Sequence, residues 1–138
     1  MCSIDPTAYI YLGFRGDFDP IAASKLVDLV PEKCAPKHSI NPERRIPRTN
    51  LLDYAKHGTN EACPDIYQLA DQITEILEPH LTQLEQLIVQ FRTECKFQVV
   101  LWIPKDEEIS TPFLGFSCRT IQLVSRLGAH IDIDSYRY

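Results

Sequence analysis

A long amphipathic segment from Asp65 to Phe91 places the strongest constraint on the fold of this chain. Its apolar residues recur at three- and four-residue steps, the spacing that aligns them in one stripe on an α-helix. Pro79 lies in the middle and has no backbone amide hydrogen, so we expect a kink there or two helices that meet at Glu78 and Pro79. The rest of the chain must supply an apolar surface large enough to cover this stripe.

Four segments have the composition of β-strands that could supply this surface. Residues 8–14 and 96–103 are rich in aromatic and β-branched residues, and residues 50–57 are predicted as a shorter strand. In the last segment, Ile131 and Ile133 alternate with two aspartates, which indicates a strand with one apolar face. We therefore expect Ile131 and Ile133 to be buried.

Two shorter helices are also predicted. Asp19 is a suitable N-cap before Pro20, and the helix is expected to continue to Val30. Ser117 is a suitable N-cap for a second helix that ends at Leu127. This order of elements predicts an α+β fold, a two-layer sandwich with a ferredoxin-like, mainly antiparallel sheet and helices on one face, if the region after the first helix supplies one more strand.

The chain has 138 residues, a length that predicts a single α+β domain over residues 1–138. Prolines recur among charged residues at 31–49, and proline is unsuited to a central strand because it removes a hydrogen-bond donor from the sheet. We interpret residues 31–49 as a proline-rich basic arm.

Charge and cysteine content narrow the functional classes. The net charge is −5, which argues against general nucleic-acid binding because that activity needs a basic surface. The five cysteines are widely spaced and form no CxxC motif, as expected for free thiols in a reducing compartment. The start of the sequence does not resemble a signal peptide, and no apolar run approaches ~18 residues, so we expect a cytoplasmic protein without a membrane span.

The basic arm contains the first candidate binding residues, Arg44, Arg45 and Arg48. A guanidinium group can bind a carboxylate or a phosphate with two parallel hydrogen bonds, so these side chains could contact an acidic partner. A solvated loop with no binding role is the alternative interpretation.

The last predicted strand contains the second pair of candidates, Asp132 and Asp134, which lie on one face because side chains alternate along a strand. With Asp17 they could form a metal or acid–base site, but the simpler interpretation is a solvated face that discourages edge-to-edge pairing. No histidine spacing typical of metal sites and no nucleotide-binding loop occurs in the sequence. We therefore predict no catalytic residue, no metal ligand and no cofactor.

Three blocks of the sequence carry a resemblance to a known family. They are the run from Gly16 to Pro20 after the first strand, the Leu77-Glu78-Pro79 break in the long helix, and the run from Leu127 to Asp134. In their order and spacing they resemble the bacterial family named domain of unknown function 4279, and the likeness covers nearly the whole chain. The resemblance implies a single α+β domain, and it brings with it the hypothesis that such proteins act as immunity proteins for bacterial toxins.

These observations lead to a functional hypothesis. We expect a non-enzymatic binding protein with a protein partner, in its specific form an immunity-type protein that neutralises a bacterial toxin, which exists as a monomer or weak homodimer. The alternative is a metal-dependent enzyme or a small-molecule sensor that uses Asp17, Asp132 and Asp134.

Overall fold

The computed structural model describes residues 5–138, which form one five-stranded sheet with helices on one face. The strands are β1 (Ala8–Gly16), β2 (Lys33–Ala35), β3 (Asn50–Thr59), β4 (Glu94–Ile103) and β5 (His130–Arg137). The helices are α1 (Pro20–Ser24), α2 (Ile66–Leu77), α3 (Leu81–Phe91) and α4 (Cys118–Arg126). No helix of the described residues is long and apolar enough to cross a membrane.

The strand order is β2-β3-β1-β4-β5, and three of the four pairings are antiparallel. The first four strands reproduce the ferredoxin-like order, in which β3 lies between β1 and β2, and β1 lies between β3 and β4. The connection through helix α4 then returns the chain to the end of the sheet at which β4 begins, so β5 pairs parallel to β4. The α+β sandwich predicted from the sequence is therefore confirmed, with the arm supplying the short strand β2.

The hydrophobic core lies between the sheet and the helices. Alternate residues of β1, namely Ala8, Ile10, Leu12 and Phe14, are fully buried in it. Each of the four helices, or the turn that follows it, contributes apolar residues to the same cluster. The helices consequently cover one face of the sheet, which we call the inner face. Within residues 5–138, no helix covers the other side, which we call the outer face.

The long amphipathic segment forms two helices, as expected from Pro79. A 3₁₀ turn at Glu78–His80 separates α2 from α3 and contains the proline at its start. Both helices direct their apolar stripes to the core, where Ile73, Leu77, Leu84 and Leu87 are fully buried.

The first helix is shorter than the sequence pattern predicts, and the expected end at Val30 was wrong. Helix α1 ends at Ser24, and the following amides bond to carbonyl groups three residues earlier. In a continued helix the Asp28 backbone amide would donate to the Ser24 carbonyl, but here it donates to Gln83 Oε1 of α3 at 2.9 Å, while Gln83 Nε2 donates to Asp28 Oδ2 at 3.0 Å. Val27 still reaches the core, whereas Val30 is 86% exposed.

The predicted burial of the last strand was only partly right. Ile131 is half-buried and packs against the core, whereas Ile133 is 41% exposed. Because β5 is an edge strand, only the part of it next to α4 is covered by the helical layer. The alternation that indicated an apolar face was real, but that face is covered at Ile131 and not at Ile133.

Asp19 is the N-cap of α1, because its Oδ1 accepts hydrogen bonds from the backbone amides of Ile21 at 3.0 Å and Ala22 at 3.3 Å. We expect Asp19→Ala to lower the free energy of unfolding by about 1 kcal/mol, since two amides at the helix start lose their acceptor. Asp17→Ala, at an exposed position two residues earlier, is the matched control and should change it by less than about 0.5 kcal/mol. Urea denaturation measures both changes, and equal losses would contradict the capping role.

Candidate functional site

Aromatic side chains form a contiguous patch on the outer face of the sheet. Tyr9 and Tyr11 of β1 alternate with the buried residues of that strand and therefore point away from the helices. Trp102 of β4 and Tyr136 of β5 are register partners in neighbouring strands. We call these four residues the aromatic patch.

The rings of the aromatic patch contact one another across three strands. Trp102 stacks on Tyr136 with ring centroids 5.5 Å apart and an interplanar angle of 25°. The centroid of the Tyr9 ring lies 6.0 Å from that of Trp102 and 6.2 Å from that of Tyr11. Such centroid distances are typical of favourable aromatic pairs, so the patch is held by its own contacts as well as by the rigid sheet.

A pocket opens at one end of the aromatic patch, and we call it the end pocket. Its volume is about 500 Å³, and it is lined by Asp5, Pro6, Thr7, Tyr9, Trp102 and Tyr138. Three of the six lining residues are aromatic, and one, Asp5, is acidic. Ligand sites in proteins commonly have volumes of ~300–1,000 Å³ and this mixture of apolar walls and few polar groups.

Backbone hydrogen bonds hold both sides of the end pocket. The Trp102 amide donates to the Thr7 carbonyl at 2.8 Å, and the Thr7 amide donates to the Thr59 carbonyl at 2.8 Å. On the other side, the Tyr138 amide donates to the Ile103 carbonyl at 3.1 Å. Thr7 before β1 and Tyr138 after β5 are thus joined to the central strands, which holds the lining of the pocket in place.

Charged groups surround the aromatic patch. Lys56 of β3 places its Nζ 4.4 Å from the centre of the Tyr9 ring, in a cation–π contact. Burial raises the pKa of Tyr9, and the neighbouring Tyr136 and Asp134 raise it further. Burial and Asp53 likewise raise the pKa of Tyr11. Both tyrosines therefore remain neutral hydroxyl groups near pH 7.

Comparison with protein families gives one match, and it covers nearly the whole chain. The family model for a domain of unknown function (DUF4279) matches residues 6–138. The chain belongs to the DUF4279 family. No curated protein and no solved structure matches it. The resemblance seen in three blocks of the sequence is therefore confirmed over the entire fold of this DUF4279 domain, and the family description assigns no activity.

Asp132 and Asp134 lie on the outer face of β5, beside the aromatic patch. Gln98, which is only 2% exposed, donates from Nε2 to Asp134 Oδ2 at 3.2 Å and to the Asp132 carbonyl at 3.3 Å. One oxygen of the Asp134 carboxylate thus accepts a hydrogen bond from the buried side-chain amide of Gln98, and its other oxygen can accept a hydrogen bond from a partner. The pair forms the acidic border of the patch in this DUF4279 domain.

Arg44, Arg45 and Arg48 lie far from this border. They are exposed residues of the arm, whose tip is closed by mutual backbone hydrogen bonds of 3.0 Å between Asn41 and Ile46. The arm leaves the sheet at the β2 edge, four strand positions from β5, a distance of roughly 19 Å at ~4.8 Å per strand. The two predicted groups of binding residues therefore belong to separate surfaces.

The structure does not bring Asp17 to Asp132 and Asp134. Asp132 is the register partner of Gln98, and Gln98 is the register partner of Tyr11 in β1. Asp17, in contrast, follows the end of β1. At a rise of ~3.3 Å per residue this offset is roughly 20 Å. Among residues 5–138, no three His, Cys, Asp or Glu side chains lie close enough together to hold a metal ion.

The buried ionisable side chains of the core have the properties of structural groups. Burial raises the pKa of the Cys95 thiol to about 12 and that of Tyr54 to about 12. A thiol with so high a pKa is protonated near neutral pH and is a poor nucleophile. Cys95 is therefore unsuited to nucleophilic catalysis.

Sequence reasoning missed the aromatic patch and the end pocket as a candidate site. The alternation of Tyr9 and Tyr11 with buried residues was visible, as was the single tryptophan, Trp102. What the sequence lacked was the strand order, which places residues about 100 positions apart next to each other. One signal was available in the sequence. Tyr9 and Tyr11 are large aromatic residues on the strand face opposite a fully apolar one, and such residues indicate a surface that contacts something else.

Proposed function

We propose that this DUF4279 domain is a non-enzymatic protein-binding module whose partner docks on the outer face of the sheet. The observation that carries the proposal is the aromatic patch, four contiguous tyrosine and tryptophan rings on a rigid sheet without a helical cover. Tyrosine and tryptophan dominate the energetic centres of protein interfaces. Exposed apolar patches bordered by polar residues commonly mark such interfaces.

The rigidity of the patch supports the same proposal. Its residues are anchored on paired strands and stacked on one another, so binding immobilises few side chains. Tyr136 of the patch is 50% exposed, and Tyr138 of the adjoining end pocket is 57% exposed, which leaves aromatic area for a partner to cover. Burying about 100 Å² of apolar surface contributes ~2.5 kcal/mol before the costs of association.

Charge supports a basic partner. The chain carries a net charge of −5, and Asp132 and Asp134 border the patch. Complementary charge accelerates association and rejects acidic competitors. In its specific form, the proposal is an immunity-type protein that covers the active surface of a basic bacterial toxin. The analogy with immunity proteins and the acidic charge support this form.

A small-molecule sensor is the second candidate, and the end pocket favours it. The pocket has a ligand-sized volume of about 500 Å³, and three of its six lining residues are aromatic. The metal-dependent enzyme considered from the sequence has less support, because its three aspartates are spread over two parts of the sheet.

Affinity capture from native host cells tests the proposed interface. The bait proteins are the wild type, a Trp102→Ala/Tyr136→Ala variant and Val89→Ala, whose side chain is 78% exposed on α3. We expect wild type and Val89→Ala to retain one protein that the double variant loses. With the captured protein purified, the double variant should bind at least about tenfold more weakly, a difference of ~1.4 kcal/mol.

A charge-reversal variant of the arm distinguishes the two candidate surfaces. Arg44→Glu/Arg45→Glu/Arg48→Glu should leave the affinity within about threefold if the outer face is the interface. Loss of binding in this variant, with normal binding by Trp102→Ala/Tyr136→Ala, would reject the outer face and assign the interface to the arm. Circular dichroism of each variant excludes unfolding as the cause. The immunity form further requires that the captured protein be toxic when expressed alone and harmless when co-expressed.

A further inference from the structure

We propose that the end pocket is a guanidinium site that receives an arginine side chain of the basic protein partner. This inference rests on the proposed protein-binding function and names the chemistry that the partner presents. The pocket combines aromatic walls from Tyr9, Trp102 and Tyr138 with the carboxylate of Asp5, within a volume of about 500 Å³. A single side chain with a planar cationic end fits that combination of size and chemistry.

The aromatic walls favour a cation. An ammonium or guanidinium group is attracted to the negative face of an aromatic ring, and tryptophan is the strongest of these acceptors. The outer face already shows this chemistry, because Lys56 Nζ lies 4.4 Å from the centre of the Tyr9 ring. Lys56 approaches from β3, whereas Trp102 lies in β4 on the other side of β1, and Lys56 does not line the end pocket.

The carboxylates favour arginine over other occupants. Asp5 lines the pocket, and the charge of Asp134 acts on the neighbouring Tyr9. A guanidinium group can stack on Trp102 while it donates two parallel hydrogen bonds to a carboxylate, which a compact ammonium group does less well. An apolar side chain would displace water from the exposed Asp5 carboxylate and offer it no hydrogen-bond donor in return, at a cost to binding.

A nucleobase is the competing occupant, because exposed aromatic rings on a sheet are also a platform for stacking bases. Its phosphate groups would then lie near Asp5 and Asp134, on a chain with a net charge of −5. Single-stranded nucleic-acid sites pair their aromatic platforms with a positively charged groove. The charge around the end pocket therefore favours a cationic side chain over a nucleotide.

Trp102 is the only tryptophan of the chain and lines the pocket, so its fluorescence reports occupancy directly. The experiment titrates the full chain with N-acetyl-arginine amide, with N-acetyl-citrulline amide as the neutral isostere, and with uridine monophosphate. We expect a saturable change for the arginine compound with a Kd on the order of 1 mM. Binding of the citrulline compound should be at least fivefold weaker, and the nucleotide should give no saturable change.

Variants link that signal to the pocket. Asp5→Asn and Tyr9→Leu should each weaken arginine binding at least threefold. Glu75→Gln removes the same charge as Asp5→Asn from the opposite layer and should leave the Kd unchanged. Equal binding of the arginine and citrulline compounds, saturable binding of the nucleotide, no saturable response to arginine, or equal effects of Asp5→Asn and Glu75→Gln would each overturn the inference.

Failure of this inference is distinguishable from failure of the proposed function. If arginine does not bind but Trp102→Ala/Tyr136→Ala still loses the captured protein, the outer face is an interface without a guanidinium site. If arginine binds the pocket and the same double variant retains the captured protein, the pocket is a guanidinium site that does not belong to that interface.

Discussion

Replacing Phe97 with alanine is expected to lower the free energy of unfolding by about 3–5 kcal/mol. Phe97 is fully buried in β4, between Leu12 of β1 and Ile131 of β5. Its ring also packs edge-on against Phe116, with centroids 6.1 Å apart. Truncation removes a large apolar contact and leaves a cavity where the strands hold the backbone in place. The free energy of unfolding of a small domain is only ~5–15 kcal/mol, so this substitution is expected to remove a large part of it.

Phe113→Ala is the matched control, because the same side chain is removed from a position that is 63% exposed. We expect it to change the free energy of unfolding by less than about 1 kcal/mol. Guanidinium chloride denaturation followed by circular dichroism measures both variants. Equal effects of Phe97→Ala and Phe113→Ala would contradict the position of the core described here.

Arg15→Met is expected to lower the free energy of unfolding by about 3 kcal/mol. Arg15 Nη1 lies 2.6 Å from Asp53 Oδ1 on the outer face, and Asp53 is only 8% exposed. Methionine retains much of the apolar stem of arginine but removes the charge. The Asp53 carboxylate then remains nearly buried without its cationic partner, which is the costly half of breaking such a pair.

A second ion pair on the surface is the control for Arg15→Met. Arg126 Nη2 lies 2.7 Å from Glu85 Oε1, but the two side chains are 53% and 37% exposed. Arg126→Met should therefore cost less than about 1 kcal/mol. In a double variant, Asp53→Asn should restore part of the loss caused by Arg15→Met, because no charge then remains unpaired. Thermal and urea denaturation of the wild type, Arg15→Met, Arg126→Met and Arg15→Met/Asp53→Asn measure the free energies of unfolding. A loss from Arg126→Met as large as that from Arg15→Met would contradict the expected role of Asp53 burial.

The helical parts of the fold were predictable because local pattern decides them. The apolar stripe from Ile66 to Phe91 and the break at Pro79 follow from side-chain spacing and from the missing amide hydrogen of proline. The end of α1 was not predictable in this way. Beyond Ser24, the Asp28 backbone amide bonds to Gln83, which is far away in the sequence, and not to a carbonyl group of a continued helix.

The candidate site was less predictable than the fold. Arg44 and Asp132 were chosen as charged residues in distinctive segments, and the sheet places them near opposite edges. Tyr9, Trp102 and Tyr136 were assigned to strands without a common role, because nothing local indicates which strands become neighbours. The strand order converts three separate aromatic residues into one surface.

The sequence by itself determined the α+β class, the positions of most strands and helices, the family and the acidic charge, since each depends on local spacing, composition or linear motifs. Only the tertiary structure decided that β1 lies between β3 and β4 and that β5 forms the edge beside β4. Those pairings depend on contacts between residues distant in the chain, whose free energy is not encoded in any short segment. The aromatic patch and the end pocket exist only because these pairings bring their residues together.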